Sequence, residues 1–214
     1  MALVDLMALS RSEIKQKTGL SEERVRACMP VIRQYVSYWR EYPDMFVDFL
    51  CGDNPENFSL YFYQRVFLRA AMRHRYAYAT FPRAYSKSFL SVLVLMLRCV
   101  LYPNSHLFVT TGGKDQAAGI LQEKAELLCR FIPGLKNEID WGRGKSKTSK
   151  DNYELIFLNG SKLDVMAASQ RSRGKRATGG LMEECILIDQ TILNEVLIPT
   201  MNVDRRLSDG SYQE

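Results

Sequence analysis

A lysine and a serine stand side by side where the chain is expected to enter a helix. Lys87 and Ser88 are followed by an almost entirely apolar run, Phe89 to Leu101. The N–H groups at a helix start and a neighbouring lysine attract phosphate oxygens, and a hydroxyl beside them is a ligand for Mg²⁺. We therefore predict that Lys87 and Ser88 belong to a phosphate-binding loop.

The residues before this lysine depart from the common phosphate-loop pattern GxxxxGK[ST]. Pro82 and Ser86 occupy its two glycine positions. The prediction therefore rests on context, which is an expected strand over Tyr76 to Phe81, the loop and then the helix. Within that loop the expected nucleotide-contacting residues are Pro82, Arg83, Ala84, Tyr85, Ser86, Lys87 and Ser88.

Two adjacent carboxylates further along the chain could complete this chemistry. Hydrolysis of a nucleoside triphosphate needs an acidic residue near Mg²⁺ and a group that positions or activates water. Glu183 is expected to hold the metal and Glu184 to act as the general base. Asp189 is an alternative metal ligand, because it follows a better apolar run over residues 185–188, but Gln190 after it cannot serve as a base.

The elements that must position these groups alternate between strands and helices after residue 57. Apolar periodicity and turn residues, including the hairpin signal Asn159-Gly160, define them. The expected helices are 62–72, 88–101, 114–131 and one from about 192; the expected strands are 76–81, 107–111, 153–158, 162–167 and 181–183. This order predicts an α/β fold with a central, mostly parallel sheet flanked by helices.

The first fifty residues are predicted to form a separate small helical segment. Ser10 with Glu13 has the spacing of a capping box, and Ser21 opens a second helix. The two predicted helices together have the outline of a helix-turn-helix, although a helical hairpin packed on the main domain is the simpler interpretation. We place the domain boundary after residue 52, giving a helical segment 1–52 and a main domain 53–214.

The positive charge of the chain is concentrated in one segment. The net charge is +5, but residues 142–176 contain nine basic and three acidic residues, so the remainder of the chain carries −1. Phosphate contacts with DNA are independent of sequence, and a basic loop can supply them. The candidate DNA-binding residues are Lys145, Lys147 and Lys150.

The cysteines and the apolar runs exclude other classes of protein. Five widely spaced cysteines without a CxxC pair indicate free thiols and neither disulfides nor a zinc site. The most apolar run is too short to cross a bilayer and contains Arg98, so no membrane partner is expected.

Taken in order, four groups of residues resemble the large terminase subunits of tailed bacteriophages, the ATPases that pump DNA into empty capsids. The groups are Tyr63-Gln64-Arg65, Arg83 within PRAYSKS, Thr110 to Lys114, and the series Asn159-Gly160-Ser161, Ala168-Ser169, Arg173-Gly174 and Glu183-Glu184. The resemblance spans about residues 60 to 200. It favours Glu183 and Glu184 over Asp189, although the family more often has Asp at the first position.

The resemblance implies a P-loop ATPase of the ASCE type (additional strand, catalytic glutamate) that uses ATP and Mg²⁺. Gln64 would recognise adenine, and Arg83 would contact the γ-phosphate and sense its loss. A homo-oligomeric ring would act on double-stranded DNA with a portal protein and a small terminase subunit, in the host cell cytoplasm and outside the virion. The candidates for a cation supplied to a neighbouring subunit are Arg173, Arg176, Arg205 and Arg206.

The family's coupling motif and nuclease domain are not visible before Glu214. We therefore expect a fragment with weak hydrolysis on its own. Two alternatives stay open. One is another nucleic-acid-dependent ATPase of this type, such as a helicase, and the other is a non-enzymatic DNA-binding protein led by the helix-turn-helix candidate.

Overall fold

A five-stranded sheet lies at the centre of the fold. Its strands are β1 (His106–Thr110), β2 (Lys147–Ser149), β3 (Asn152–Ile156), β4 (Lys162–Val165) and β5 (Gly179–Met182), paired in the order β2-β3-β4-β1-β5. Strand β1 is parallel to β4 and β5, whereas β3 is antiparallel to β2 and β4. Every strand except β3 therefore runs in the same direction, which confirms the predicted α/β class with a mostly parallel sheet.

The structure, a computed structural model, describes residues 21–52, 58–142, 146–149, 152–202, 205–206 and 212–213. The predicted helix start at Ser10 and Glu13, the first half of the helix-turn-helix candidate, and Lys145 and Lys150 lie outside these residues. Two short strands, β6 (Arg205–Arg206) and β7 (Tyr212–Gln213), form a separate antiparallel pair.

Helices precede and follow the strands. They are α1 (Glu22–Glu41), α2 (Pro43–Cys51), α3 (Phe62–Arg73), α4 (Lys87–Leu101), α5 (Lys114–Phe131), α6 (Pro133–Asn137), α7 (Gln190–Ile192) and α8 (Ile198–Thr200), with a π-helical turn (Leu193–Leu197) between the last two. The predicted helices 62–72, 88–101 and 114–131 are thus confirmed to within one residue at each end.

Helix α4 is the most buried element of the domain. Eleven of its fifteen residues are buried, which fits a helix that is apolar on every side. It packs against α3, α5 and the strands β1, β4 and β5. Because side chains alternate along a strand, Leu107 and Val109 of β1 join this core, whereas Phe108 points to the opposite face.

The opposite face of the sheet is covered by the chain that follows β5. Phe108 packs there with Met166, Ala177, Ile188 and Leu197. Gly180 of β5 lies under the Phe108 ring, and a Cβ at this position would approach the ring carbons to 2.6 Å. This contact explains why a glycine occupies this strand position.

Two arginines of α3 form ion pairs with aspartates of α2. Arg65 donates to Asp48 at 2.6 and 2.8 Å, and Arg69 donates to Asp44 at 2.7 and 2.8 Å. The Asp44 side chain is 1% exposed, so its charge is acceptable only because these guanidinium groups neutralise it. Burial alone would raise the pKa of Asp44, but the hydrogen bond and charge of Arg69 outweigh it, so the pKa lies below its ordinary value.

The predicted hairpin is present, and its turn holds the end of α4. Strands β3 and β4 pair antiparallel around Gly160, whose φ of 83° favours glycine. The Asn159 side chain donates to the carbonyl oxygens of Cys99 and Val100 at 2.8 and 2.9 Å. These carbonyls belong to the last turn of α4, where the intrahelical acceptors lack partners.

The predicted strand over Tyr76 to Phe81 is wrong. The segment belongs to no strand in the described part of the chain, and Tyr78 is 82% exposed. The Tyr-Ala alternation has the period of a strand, but a ladder also needs a neighbouring backbone, and β5 has only β1 as a described partner. The local sequence pattern does not show whether a neighbouring strand is present.

The structure can be compared with the predictions of free cysteines and of no membrane-spanning helix. All five cysteines are free, as predicted. Burial raises the pKa of Cys129 to about 11 and raises that of the buried Cys99 as well, so both thiols stay protonated at neutral pH. In the described part of the chain, no helix combines the length and apolarity needed to span a bilayer.

Candidate functional site

The start of α4 meets the end of β5 through one short hydrogen bond. Ser88 Oγ donates to Glu183 Oε1 at 2.6 Å, although the two residues are 95 positions apart. Glu183 is 7% exposed, and its backbone N–H donates to the carbonyl oxygen of Thr110 at 2.9 Å. The predicted metal-binding hydroxyl and the predicted metal-binding carboxylate are therefore adjacent and fixed from two sides.

The loop before α4 has an unusual backbone. Ala84 and Ser86 have φ values of 66° and 54°, and Glu184 has a φ of 50°. Side chains are disfavoured in this left-handed region, and residues held there are concentrated at functional sites. Of the four non-glycine residues with positive φ in the described chain, three thus lie in the candidate site, the fourth being Asn104.

The phosphate-loop residues are open to solvent. Pro82, Arg83, Ala84, Tyr85 and Ser86 are exposed, and Lys87 and Ser88 are partly buried as the first two residues of α4. The first N–H groups of α4 lack intrahelical partners and form the positive end of the helix dipole. An anion at this position would be stabilised by the backbone and by Lys87 together.

Glu184 lies beside Glu183 but in a different environment. Its side chain is exposed, and Gln116 Nε2 of α5 donates to Glu184 Oε2 at 3.4 Å. The Thr111 hydroxyl lies 3.5 Å from Gln116 Oε1 and donates to the carbonyl of Gly113 at 2.8 Å. The buried carboxylate and the exposed carboxylate are thus suited to separate tasks, holding an ion and contacting water.

The Thr110 hydroxyl is a buried polar group without a hydrogen-bond partner among the described residues. Thr110 is fully buried at the end of β1, and its carbonyl accepts from the backbone of Glu183. An unsatisfied buried hydroxyl is costly and needs an explanation, such as a water or an ion beside it. It therefore marks an unsatisfied polar position at the end of β1, on the face of the sheet that carries Phe108.

The donor atoms at this place fit Mg²⁺ bound together with phosphate. Ser88 and Glu183 supply hard oxygen ligands, as Mg²⁺ prefers. Among the described residues, no group of three or more His, Cys, Asp or Glu side chains could hold a metal alone. Mg²⁺ usually binds to one or two protein ligands and completes its coordination with water and phosphate oxygens.

Asp189, the alternative metal ligand, has another task. The apolar run before it forms a 3₁₀ turn (Cys185–Leu187) and not a strand, and Ile186 is 89% exposed. Asp189 Oδ1 accepts from the backbone N–H groups of Thr191 and Ile192 at 2.8 and 3.1 Å. Asp189 therefore caps the helical segment that begins at Gln190.

The predicted base-recognition residue is engaged within the protein. Gln64 is 4% exposed, and its Oε1 accepts from the backbone N–H of Tyr61 at 2.9 Å. This contact satisfies a free donor at the start of α3. Its Nε2 donates to Tyr63 Oη at 3.4 Å, and the Tyr63 ring lies 5.5 Å from the ring of Tyr85 in the phosphate loop.

Where their side chains are described, the other predicted cations pair with other residues or are exposed. Arg173 pairs with Glu195 at 2.5 Å, Arg176 is exposed, and Lys147 pairs with Glu154 at 3.2 Å. Arg205 and Arg206 form β6, and their side chains are not described.

Two residues of the described structure, Gln116 and Thr110, were not predicted individually from the sequence. The pairing of Gln116 with Glu184 joins positions 68 apart, and no spacing signals it. Thr110 enters the sequence analysis only as part of the segment Thr110 to Lys114. A detectable signal was the polar pair Thr110-Thr111 at the end of an apolar strand, where side chains of neighbouring parallel strands converge.

Comparison with solved structures shows similarity to a phage protein. No protein-family profile and no curated protein match the chain. The large terminase ATPase domain of a Thermus phage is similar, with a TM-score of 0.48 and 16% identity over 71% of this chain and 62% of that domain. The chain therefore spans less than two thirds of the length of that neighbour.

Proposed function

We propose that the protein is a Mg²⁺-dependent ATPase whose site lies between the start of α4 and the end of β5. The observation that carries the proposal is the 2.6 Å hydrogen bond from Ser88 to Glu183. It joins a lysine-serine pair at a helix start to an acidic pair at a strand end, which is the arrangement that phosphoryl transfer requires. The left-handed residues Ala84, Ser86 and Glu184 are further support.

Each residue has a role set by its position. Lys87 and the first N–H groups of α4 would bind the phosphates, while Ser88 and Glu183 would hold Mg²⁺. When bound, Mg²⁺ neutralises phosphate charge. Glu184 would accept a proton from the attacking water, and Gln116 would hold that carboxylate in place. Arg83, exposed in the loop, would contact the γ-phosphate.

We further propose that this ATPase drives DNA packaging, as the ATPase portion of a phage large terminase. Support comes from the order of the four sequence groups and from the excess of basic residues between 142 and 176. On this proposal identical subunits form a ring around double-stranded DNA and act with a portal protein and a small subunit. Arg173, Arg176, Arg205 and Arg206 are candidates for the cation that reaches a neighbouring site.

Calorimetric titration of the chain with Mg²⁺ and a slowly hydrolysed ATP analogue tests the nucleotide site. Lys87→Ala is expected to abolish binding, whereas Lys136→Ala, an exposed lysine outside the site, is expected to leave it unchanged. Equal binding by both variants and the unmodified chain would refute the proposed site. Absence of binding in all three would favour a non-enzymatic DNA-binding protein.

Turnover measurements test the chemistry and the biological role. Glu184→Gln is expected to lower the ATP hydrolysis rate by about 10²-fold or more, because it removes a general base; Glu23→Gln on α1 is the matched control. Stimulation by procapsids carrying a portal would support the packaging role. Stimulation by DNA alone, without any effect of procapsids, would favour a helicase-like ATPase.

A further inference from the structure

We propose that the nucleotide base stacks on a cluster of three tyrosines, Tyr61, Tyr63 and Tyr85, and that Gln64 does not read it. The site would then accept purine and pyrimidine nucleotides with similar affinity. This inference rests on the proposed nucleotide site and concerns its substrate specificity.

The first reason is that the Gln64 carboxamide is already used. A glutamine that reads adenine must offer both its oxygen and its nitrogen to the base. Here Oε1 accepts from the Tyr61 backbone and Nε2 donates to the Tyr63 hydroxyl. Each atom could make one more hydrogen bond, but the residue is only 4% exposed, so a base cannot reach the carboxamide in this orientation. Turning the carboxamide toward a ligand would leave the N–H of Tyr61 without its acceptor at the start of α3.

The second reason is the geometry of the aromatic rings. Tyr61 and Tyr63 are nearly parallel, with an interplanar angle of 8° and ring centroids 6.2 Å apart. Tyr85 is inclined by 55° to Tyr63 at 5.5 Å. Tyr61 and Tyr85 are exposed and Tyr63 is partly buried, so the cluster is anchored on one side and open on the other. This is an arrangement on which a planar base can stack.

The third reason is the position of Tyr85 in the phosphate loop. It lies two residues before Lys87, so the two Cα atoms are at most about 7 Å apart. The left-handed residues Ala84 and Ser86 flank Tyr85 and fix the backbone on both sides of it. A nucleotide whose phosphates lie at Lys87 would therefore bring its base within reach of the cluster.

Stacking on tyrosine does not distinguish one base from another. Every base has a π-face, so a tyrosine ring can stack on any of the four bases. The cluster contains no carboxylate or carboxamide directed to a ligand. Weak selectivity among bases follows from this composition.

Calorimetric titrations with Mg²⁺ and slowly hydrolysed analogues of ATP, GTP, CTP and UTP test the inference on the full chain. We expect the four dissociation constants to agree within about tenfold, which corresponds to about 1.4 kcal/mol. Tyr85→Ala should weaken all four by a similar factor, between about fivefold and about a hundredfold. Tyr85→Phe should bind as the unmodified chain does, and Tyr78→Ala is a matched control with an exposed tyrosine outside the cluster.

A second variant separates stacking from base reading. Gln64→Ala should lower the melting temperature, because α3 loses its capping contact, but should leave the ratios among the four nucleotides unchanged. A preference for ATP above about a hundredfold that disappears in Gln64→Ala would overturn the inference and leave the ATPase proposal intact. Failure of all four analogues to bind would overturn the nucleotide site and this inference with it.

Discussion

Gln116 and Glu184 are joined by a hydrogen bond of 3.4 Å between the start of α5 and the turn after β5. The carboxylate is exposed, and its backbone is held in the left-handed region at φ 50°. The orientation of the Glu184 side chain therefore depends on its left-handed backbone and on the hydrogen bond from the Gln116 amide. If Glu184 accepts the proton of the attacking water, Gln116 is its positioning residue.

Gln116→Ala is expected to lower kcat for ATP hydrolysis with little change in KM. Loss of a single hydrogen bond corresponds to between about twofold and about tenfold in rate. Gln116→Asn, with a shorter reach, should not restore the rate. Gln122→Ala is the control, because Gln122 makes a comparable bond of 3.1 Å to Glu126 on the same helix, away from the site. An equal loss of activity in both variants would indicate a general effect on α5.

Local patterns predicted the elements of this fold better than they predicted its contacts. The helix over Lys114 to Phe131 follows from apolar spacing, and the hairpin follows from Asn159-Gly160. The strand expected over Tyr76 to Phe81 failed, because pairing depends on a distant backbone that periodicity does not report. The same limit hid the contact between Gln116 and Glu184. Lys87 and Glu183 could be predicted as candidates, because local context marks helix starts and strand ends.

Gly180→Ala is expected to destabilise the domain by about 1 to 3 kcal/mol, because the new methyl group overpacks the Phe108 ring. Urea unfolding of the variant measures the change. Gly119→Ala is the control, since no atom lies within 4 Å of its added Cβ in the middle of α5, and it should stabilise by up to about 1 kcal/mol. Adding Phe108→Leu to Gly180→Ala should recover part of the loss if the ring is the cause.

Acid stability should depend on a row of charges across one face of the sheet. Lys162 lies 2.7 Å from Glu154 and 3.0 Å from Asp164, which also lies 3.2 Å from His106. Burial alone would raise the pKa of both carboxyls. For Asp164, the hydrogen bonds and charges of His106 and Lys162 outweigh burial, so its pKa lies below the ordinary value. For Glu154, the hydrogen bonds and charges of Lys162 and Lys147 do the same, and its pKa is also lowered.

A lowered carboxyl pKa adds stability that is present above the unfolded value, about 4, and is lost as the pH falls through the folded value. The free energy of unfolding should therefore decrease below about pH 4. Lys162→Met should be less stable than the unmodified chain at pH 7, and the difference should shrink in acid. Lys124→Met, which removes a surface pair with Glu123, should change little at either pH. A difference for Lys162→Met that persists at pH 2 would assign the effect to packing.

Ser86→Gly tests whether the phosphate loop stores strain where the common pattern has glycine. Ser86 has a φ of 54°, a conformation that costs an L-residue about 1 to 2 kcal/mol and costs glycine almost nothing. The greater freedom of glycine in the unfolded chain offsets part of this gain, so the variant should be as stable as the original or more stable by up to about 1 kcal/mol. Ser86→Val should lose stability, because a β-branched side chain is least tolerant of this region.

Nucleotide binding by Ser86→Gly tests whether the strained serine orders the loop. If the variant retains stability but binds nucleotide more weakly, the serine fixes the loop for its ligand, since a glycine loop must be ordered when the phosphates bind. Thermal unfolding and calorimetry of the two variants separate these effects, and equal stability of Ser86→Val and Ser86→Gly would contradict the left-handed backbone at this position.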